Sequence, residues 1–473
     1  MARTEWRRDS AFIANRWRRT DQVVEVENPA TGTVIGTAAN SSTALVDEAV
    51  RAARRAFDDW AALGVRQRAA YLAALHRELQ ARRELLVQTT VAEVGAPIRV
   101  AREAHIDLAL QVVGYYVDLL ADADDGPVEQ VGNSLVFREP AGVVGCITPW
   151  NYPAYQLLIK VAPAIAAGCT VVAKPAELTP LTAYLVADAA LAAGLPAGVL
   201  NLVPGSGRVV GEALVAHPEV DLVSFTGSTG VGARVAASAA ATLKRVALEL
   251  GGKSASLVLP DADVTAAVRA TVDSATLNTG QTCSAWTRLL VPQERYEEAY
   301  RLACGRAAEL VVGDPTHEDT DLGPLISAGQ RESVTAMVAR AVADGARCFQ
   351  PARELPPQGH YVAPTVVADV PPEAEIAQEE VFGPVLVVLP YRDEADAIRL
   401  ANHTVYGLAG AVWSGDQERA VRVARALRTG QVDINGAPFN PAAPFGGYKR
   451  SGYGRELGRY GYEEFTQVKA VQV

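Results

Sequence analysis

The sequence predicts an α/β protein built on doubly wound, mostly parallel sheets, and three observations carry that expectation. From residue 143 onward, short β-branched runs alternate with helical stretches, the pattern of strands joined by crossover helices. Each strand-like run ends in a Gly- or Pro-bearing turn such as Pro149-Trp150-Asn151 or Thr226-Gly227-Ser228, as strand-to-helix junctions require. The composition is that of an ordinary globular chain, with 473 residues, 49% hydrophobic, 21% charged, and 39 Gly and 27 Pro spread along it. That length supports two or three domains and a sizeable core.

Taken in order, the arginine-rich start, residues 3–19, is interrupted by Glu5, Trp6, Asp9 and Trp17 and reads as a surface segment. Residues 43–63 and 66–94 read as amphipathic helices with charged outer faces, and 98–120 continue the helical layer. The run Ala121-Asp122-Ala123-Asp124-Asp125-Gly126-Pro127 breaks the pattern, and residues 128–138 alternate as an extended arm returning at 139–142. Strands are expected at 143–148, 170–173, 199–203, 221–225 and 245–249, with helices at 155–167, 179–193, 207–216 and 230–241 between them. A further helix reads from 263 to 279, its apolar face formed by Val264, Ala267, Val268, Thr271, Val272, Ala275 and Leu277. Gly280 is its expected left-handed stop. Cys283 follows in a tight turn, before a strand that begins near Leu289.

Several function classes are excluded early. A formal net charge of −10 argues against nucleic acid as a main partner, since phosphate binding needs a basic face. The longest apolar run, residues 161–173, is shorter than the roughly 18 residues a membrane helix needs, so no membrane partner is expected. Five cysteines with no close CxxC pair make a disulfide framework or zinc site unlikely, and the six histidines lack ligand spacing, so no metal is assigned. A reducing cytoplasm fits this cysteine usage. Lysine is scarce: Lys160, Lys174, Lys244, Lys253, Lys449 and Lys469 are the six among 44 cationic residues. Each retained lysine therefore marks a place where a compact point charge could matter.

In doubly wound sheets ligands bind outside the carboxyl ends of the strands, which singles out the loops at Pro149, Lys174-Pro175-Ala176-Glu177, Pro204-Gly205-Ser206-Gly207, Gly227-Ser228-Thr229-Gly230 and Leu250-Gly251-Gly252. Two of these suit a diphosphate. Gly205-Ser206-Gly207 with Gly211 misses the dinucleotide spacing by one residue; Gly227 to Gly232 offers backbone N–H groups at a helix start. Either loop is a candidate, the alternative being a plain turn. Glu177, past a strand end beside Lys174, could accept both hydroxyls of an adenosine ribose.

Three reactive positions complete the set. Asn151 offers an amide donor, Glu249 a carboxylate, and Cys283 a thiol. Beside a nucleotide site, that trio suggests carbonyl oxidation through a thioester. Here the sequence closely resembles the aldehyde dehydrogenase superfamily, through TPWNYP, KPAELTP, FTGSTGVG, LELGGK, GQTC, EEVFGPV at 379–385 and PFGGYKRSGYGRE at 444–456, in the family's order and over nearly the whole chain.

The resemblance implies an NAD-dependent enzyme with two doubly wound, Rossmann-like α/β domains and a β-arm for oligomerisation. The cofactor domain would be 1–121 and 141–251, the catalytic domain 252–455, and the arm 122–140 and 456–473. Cys283 would be the nucleophile, Asn151 the oxyanion donor, and Glu249 the base that activates the deacylating water. The implied NAD contacts are Thr148, Pro149, Trp150, Lys174, Glu177, Gly207, Phe225, Gly227, Ser228, Val231 and Leu250, with Glu380 and Phe382 on the nicotinamide side. NADP is the less favoured cofactor, because Glu177 would repel a 2′-phosphate. Lys160 and Glu456 match a proton relay of some relatives, or are structural ion partners; Trp286 either narrows the site or packs under the strand.

The tail, residues 465–473, is strand-like and would be a bare edge in a monomer, so a homodimer or homotetramer is expected. The loop 435–445 should border the substrate tunnel and carries no Lys or Arg, which points to a neutral, apolar or aromatic aldehyde. Two other readings are a CoA-acylating semialdehyde dehydrogenase, whose members generally lack a carboxylate at the position of Glu249, and a non-catalytic binding protein on the same fold.

Overall fold

The computed structural model describes residues 6–126 and 128–473. β-Branched runs with no polar alternation produce strands buried on both faces, as in Val143–Ile147, Thr170–Lys174 and Leu222–Thr226, in which every residue is buried. Such strands can pair only in the middle of a sheet covered by helices. They do so in an eight-stranded sheet, ordered Gly452–Tyr453, Arg245–Glu249, Leu222–Thr226, Val143–Ile147, Thr170–Lys174, Leu200–Leu202, Ser10–Ile13 and Arg16–Arg19. The five central strands are parallel; the pairings to Gly452–Tyr453 and Ser10–Ile13 are antiparallel.

The parallel part of the sheet starts at Val143–Ile147, proceeds to one side, and then returns to the other side through Leu222–Thr226. Connections therefore leave these two adjacent strands in opposite directions, opening a crevice at their carboxyl ends. A second, seven-stranded sheet runs Arg347–Phe349, Thr365–Ala368, Val385–Tyr391, Arg288–Pro292, Ala255–Val258, Gly410–Trp413 and Asp433–Ile434. Only its first strand is antiparallel. Two smaller sheets hold Trp6–Arg8, Thr33–Ala39 and Val23–Asn28, and Thr466–Gln472, Ser134–Pro140 and Glu129–Val131. Among the described residues, no helix is long and apolar enough to cross a membrane.

The strands at 143, 170, 221 and 245 and the helices between them form within a residue or two of their expected bounds, and four expectations need correction. The arginine-rich start is not a surface segment: Ala11, Phe12 and Ile13 are buried in the large sheet, while Arg3 and Glu5 lie outside the described residues, as does Pro127 of the break before the arm. The helix expected over 66–94 is two, Val65–Ala81 and Arg83–Val94, parted at Arg82. The segment 207–216 opens as a π-helical turn, Gly207–Gly211, before Glu212–Ala216. The helix before Cys283 stops at Thr276, three residues early. Asn278, Thr279 and Gly280 all turn left-handed, with φ of 52, 59 and 73°.

Candidate active site

Left-handed backbone is natural for glycine and costs a β-branched residue about 1–3 kcal/mol, so the turn before Cys283 must be held from outside. Thr279 Oγ1 donates to Gly323 O at 3.2 Å. The Asn278 side chain donates to Asn151 O at 3.0 Å. Gln281 clamps both sides, its Nε2 donating to Asn278 O at 3.2 Å and its Oε1 accepting from Ile326 N at 2.9 Å. In return Asn151 Nδ2 donates to Gln281 O at 2.9 Å, which ties the amide to the turn carrying the half-buried Cys283. Tyr152 Oη and Thr282 Oγ1 share a hydrogen bond of 2.7 Å on the same turn.

Glu249 ends its strand between Thr226 and Gly452. The next residues reach Cys283 directly, because a Cβ on Gly252 would collide with Cys283 O; only glycine permits that approach. The Glu249 carboxyl is 4% exposed, and its Oε2 has no hydrogen-bond partner. Burial, with the Glu456 carboxylate adding to it, raises its pKa well above the usual carboxylate range. Burial likewise pushes the Cys283 thiol up, and the carboxylates of Glu380, Glu249 and Glu456 push it further. The buried Glu249 carboxyl is thus one of three that disfavour ionisation of the half-buried Cys283 thiol.

The crevice predicted by the topology is a cleft of about 840 Å³. Thr148, Pro149 and Trp150 form one wall, Lys174 and Glu177 another, and Phe225, Gly227, Ser228 and Val231 a third, with Gly207 opposite. Both glycine loops therefore line the same cleft. Ser206 and Ser228 cap their helices, accepting from Val209 N at 3.1 Å and Val231 N at 3.4 Å, so two helix starts face the space. Thr226 Oγ1 lies buried beside it with no partner. Lys174 is 4% exposed, its pKa lowered by burial to about 8, whereas Glu177 is exposed.

Leu250, Glu380 and Phe382 lie outside that cleft, toward Cys283. Leu250 packs under Gly232; Glu380 Oε1 accepts from Gly252 N at 2.9 Å and is raised by burial to about 7. Phe382 meets Trp150 edge-on at 5.3 Å. The cleft lining beyond the expected contacts includes two cations, Arg208 and Arg234. Arg234 was legible in principle, since Val231, Arg234, Val235 and Ser238 follow the spacing of one helix face.

Lys160 and Glu456 pair with each other, and Lys160 also donates to Ser224 Oγ at 3.1 Å; their side chains are 0% and 5% exposed. Trp286 packs under the strand: its backbone N–H donates to Ser274 Oγ at 3.1 Å and its ring meets Trp413 edge-on at 6.3 Å. The loop 435–440 is exposed.

Comparison with known proteins shows the family. The aldehyde dehydrogenase family model matches residues 17–471. The chain is 47% identical over 469 residues to 3-succinoylsemialdehyde-pyridine dehydrogenase of a Pseudomonas species, covering 97% of each chain. It is 41% identical over 473 residues to geranial dehydrogenase of Castellaniella defragrans, covering 97% of this chain and 98% of the other. Among solved structures, aldehyde dehydrogenase C of Pseudomonas syringae, in complex with NAD+ and octanal, superposes with a TM-score of 0.96 at 46% identity over 98% of this chain and 96% of that one. A Mycobacterium tuberculosis aldehyde dehydrogenase complexed with NAD+ gives 0.96 at 41% identity over 99% of both. With a family model matched over nearly its whole length and relatives this similar along the full chain, the protein belongs to the aldehyde dehydrogenase family.

Proposed function

We propose that the protein oxidises a neutral apolar or aromatic aldehyde to its carboxylic acid with NAD, through a thiohemiacetal and a thioester on Cys283. The observation that carries the residue roles is the hydrogen bond from Asn151 to Gln281 O, which sets a side-chain amide against the turn of the nucleophile. The free N–H of that amide and the backbone N–H of Cys283 are the donors for the oxyanion formed when Cys283 Sγ adds to the aldehyde carbon. Removing one such donor typically costs about 3–4 kcal/mol in the barrier. When bound, NAD supplies the hydride acceptor and a positive charge beside the thiol. Once the aldehyde hydrogen has left as hydride, Glu249 takes a proton from water. The hydroxide adds to the thioester, and the C–S bond breaks to return the thiolate and release the acid.

The cleft suits the dinucleotide. Glu177 and Lys174 would hold the adenosine ribose, the helix starts at Gly207 and at Gly227 and Ser228 the diphosphate, and Glu380 and Phe382 the nicotinamide half. Thr148, Pro149, Trp150, Phe225, Val231 and Leu250 would wall the site. The division into a cofactor domain (1–121, 141–251), a catalytic domain (252–455) and an oligomerisation arm (122–140, 456–473) belongs to the same reading. Val468 and Val471 are exposed on the edge strand Thr466–Gln472, which supports a dimer or tetramer built through that arm. Five unpaired thiols accord with the cytoplasm.

Geranial and octanal, named with two of the relatives, are uncharged and apolar, and the uncharged loop 435–445 supports the same class here. A panel of aldehydes compared by kcat/KM for NADH formation tests this: hexanal or benzaldehyde should exceed succinic semialdehyde. A strong preference for succinic semialdehyde refutes the substrate class, and no NADH with any aldehyde refutes the reaction.

A further inference from the structure

His105 lies within the π-helical segment Ala101–Asp107, fully buried, with neither ring nitrogen hydrogen-bonded. Its ring stacks on Tyr152, centroids 4.2 Å apart and planes 28° from parallel. Burial lowers its pKa to about 3, and the Asn278 side chain is the group that opposes that shift. The ring is therefore neutral at working pH and carries one N–H donor. Asn278 presents the complement: its Nδ2 is spent on Asn151 O, and its Oδ1 is buried with no partner. Two unsatisfied groups, a donor and an acceptor, thus sit side by side behind the oxyanion pocket, where a buried polar group left unpaired is destabilising. The other face of the arrangement leads from Tyr152 through its hydroxyl to Thr282, the neighbour of Cys283.

We propose that His105 is a positioning residue for the oxyanion pocket: its ring N–H serves Asn278 Oδ1 and its ring face backs Tyr152, together fixing the Asn151 amide against Cys283. The hydrogen bond closes fully in the substrate complex, as active-site contacts that are long in the free enzyme commonly do. With Oδ1 engaged, Asn278 cannot flip its amide, so Nδ2 stays on Asn151 O and the Asn151 backbone stays in register with the turn. This inference rests on the assignment of Asn151 as oxyanion donor and Cys283 as nucleophile.

The test is rapid mixing of aldehyde with the full-length protein and NAD, rates being expressed per alkylatable Cys283. His105→Phe keeps the bulk and the stacking but loses the N–H; it should slow the NADH burst at saturating aldehyde at least tenfold, leaving the NAD Kd and the Tm near wild type. His105→Gln, which restores an N–H, should recover a substantial part of that rate. Asn278→Gly, which the left-handed backbone at this position accommodates, should match the loss of His105→Phe, and the double variant should be no slower than either. A His105→Phe burst within twofold of wild type overturns the proposal; if that variant does not fold, an Asn278→Gly burst within twofold does so instead. Asn151→Ala separates the two levels. If it too is unaffected, the donor assignment has failed, and if it alone is crippled, only the role of His105 falls.

Discussion

Replacing Glu249 by Gln separates the two halves of the reaction, because the fold disfavours the ionised form of this carboxyl in the resting enzyme. Its burial and the neighbouring Glu456 charge raise its pKa well above the usual carboxylate range, and the role assigned to it is deacylation, not deprotonation of Cys283 before the ligands arrive. The neutral amide has almost the same shape, and the substitution removes an ionisation that the fold disfavours; the Tm should stay level or rise. What is lost is the proton acceptor for the deacylating water, worth about 10²–10⁴-fold, or roughly 3–5 kcal/mol of barrier. Stopped-flow mixing with excess aldehyde and NAD should give a burst of NADH approaching one per site, followed by turnover slowed by that factor. Intact-mass analysis should find the acyl group on Cys283. A variant that folds and binds NAD yet shows neither burst nor adduct would refute the assignment of Glu249 to deacylation and make it the base that generates the thiolate.

Glu177→Gln removes the charge facing a 2′-phosphate while Arg208 still lines the cleft, so kcat/KM with NADP relative to NAD should rise about tenfold, the effect of roughly 1.4 kcal/mol; an unchanged ratio places the discrimination elsewhere. Gly446 has φ of 156°, and a Cβ there would lie 2.7 Å from Glu249 Oε1 and 2.7 Å from Gly454 O. Gly446→Ala should therefore slow steady-state turnover at least tenfold with the burst retained, whereas wild-type turnover would show that the carboxyl has room to move. Glu93, fully buried, caps the helix Leu181–Ala192 by accepting from Leu181 N at 2.7 Å and Thr182 N at 3.0 Å, and burial raises it from 4.5 to about 7. A carboxyl raised in the fold binds more protons folded than unfolded, so its contribution is complete below the unfolded pKa and falls by about 3 kcal/mol as pH rises to roughly 7. Tm profiles of wild type and Glu93→Gln should converge or cross between pH 5 and 8 to the variant's relative gain; parallel profiles would contradict the shift.

The chemistry was more legible in the sequence than the backbone that presents it. Residues at strand ends can be placed from sequence because a parallel sheet gathers its carboxyl-end loops on one edge, which groups the loops of Asn151, Glu177, Gly227 and Glu249. The turn at 278–280 was misplaced because Thr279 is a poor left-handed residue by local preference. Its conformation is maintained by Gly323, 44 positions away. The start of the chain misled for a similar reason: Arg16–Arg19 looks like solvent-facing charge, and the strand that buries Ser10–Ile13 lies at Leu200–Leu202. The scarcity of lysine proved informative, since Lys160, Lys174, Lys244 and Lys253 are all buried. Position along a helix, not residue type, decides whether Arg208 and Arg234 face the cleft, and a reading confined to motifs passes over them.

The two outer strands of the large sheet carry a consequence for the moment of synthesis. Phe12 pairs with Leu202, 190 residues later (202 minus 12), and Glu249 pairs with Gly452, 203 residues later (452 minus 249). At about 5–20 residues per second, each strand waits roughly 10–40 s on the ribosome for its neighbour. The nascent chain thus carries an early hairpin, Ser10–Ile13 with Arg16–Arg19, whose inner edge has no strand to join, and later a Glu249 strand lacking one neighbour. Nearly the whole polypeptide must emerge before the carboxyl of Glu249 is held in place. The strand of Glu249 gains its second neighbour only when the strand at 452 arrives.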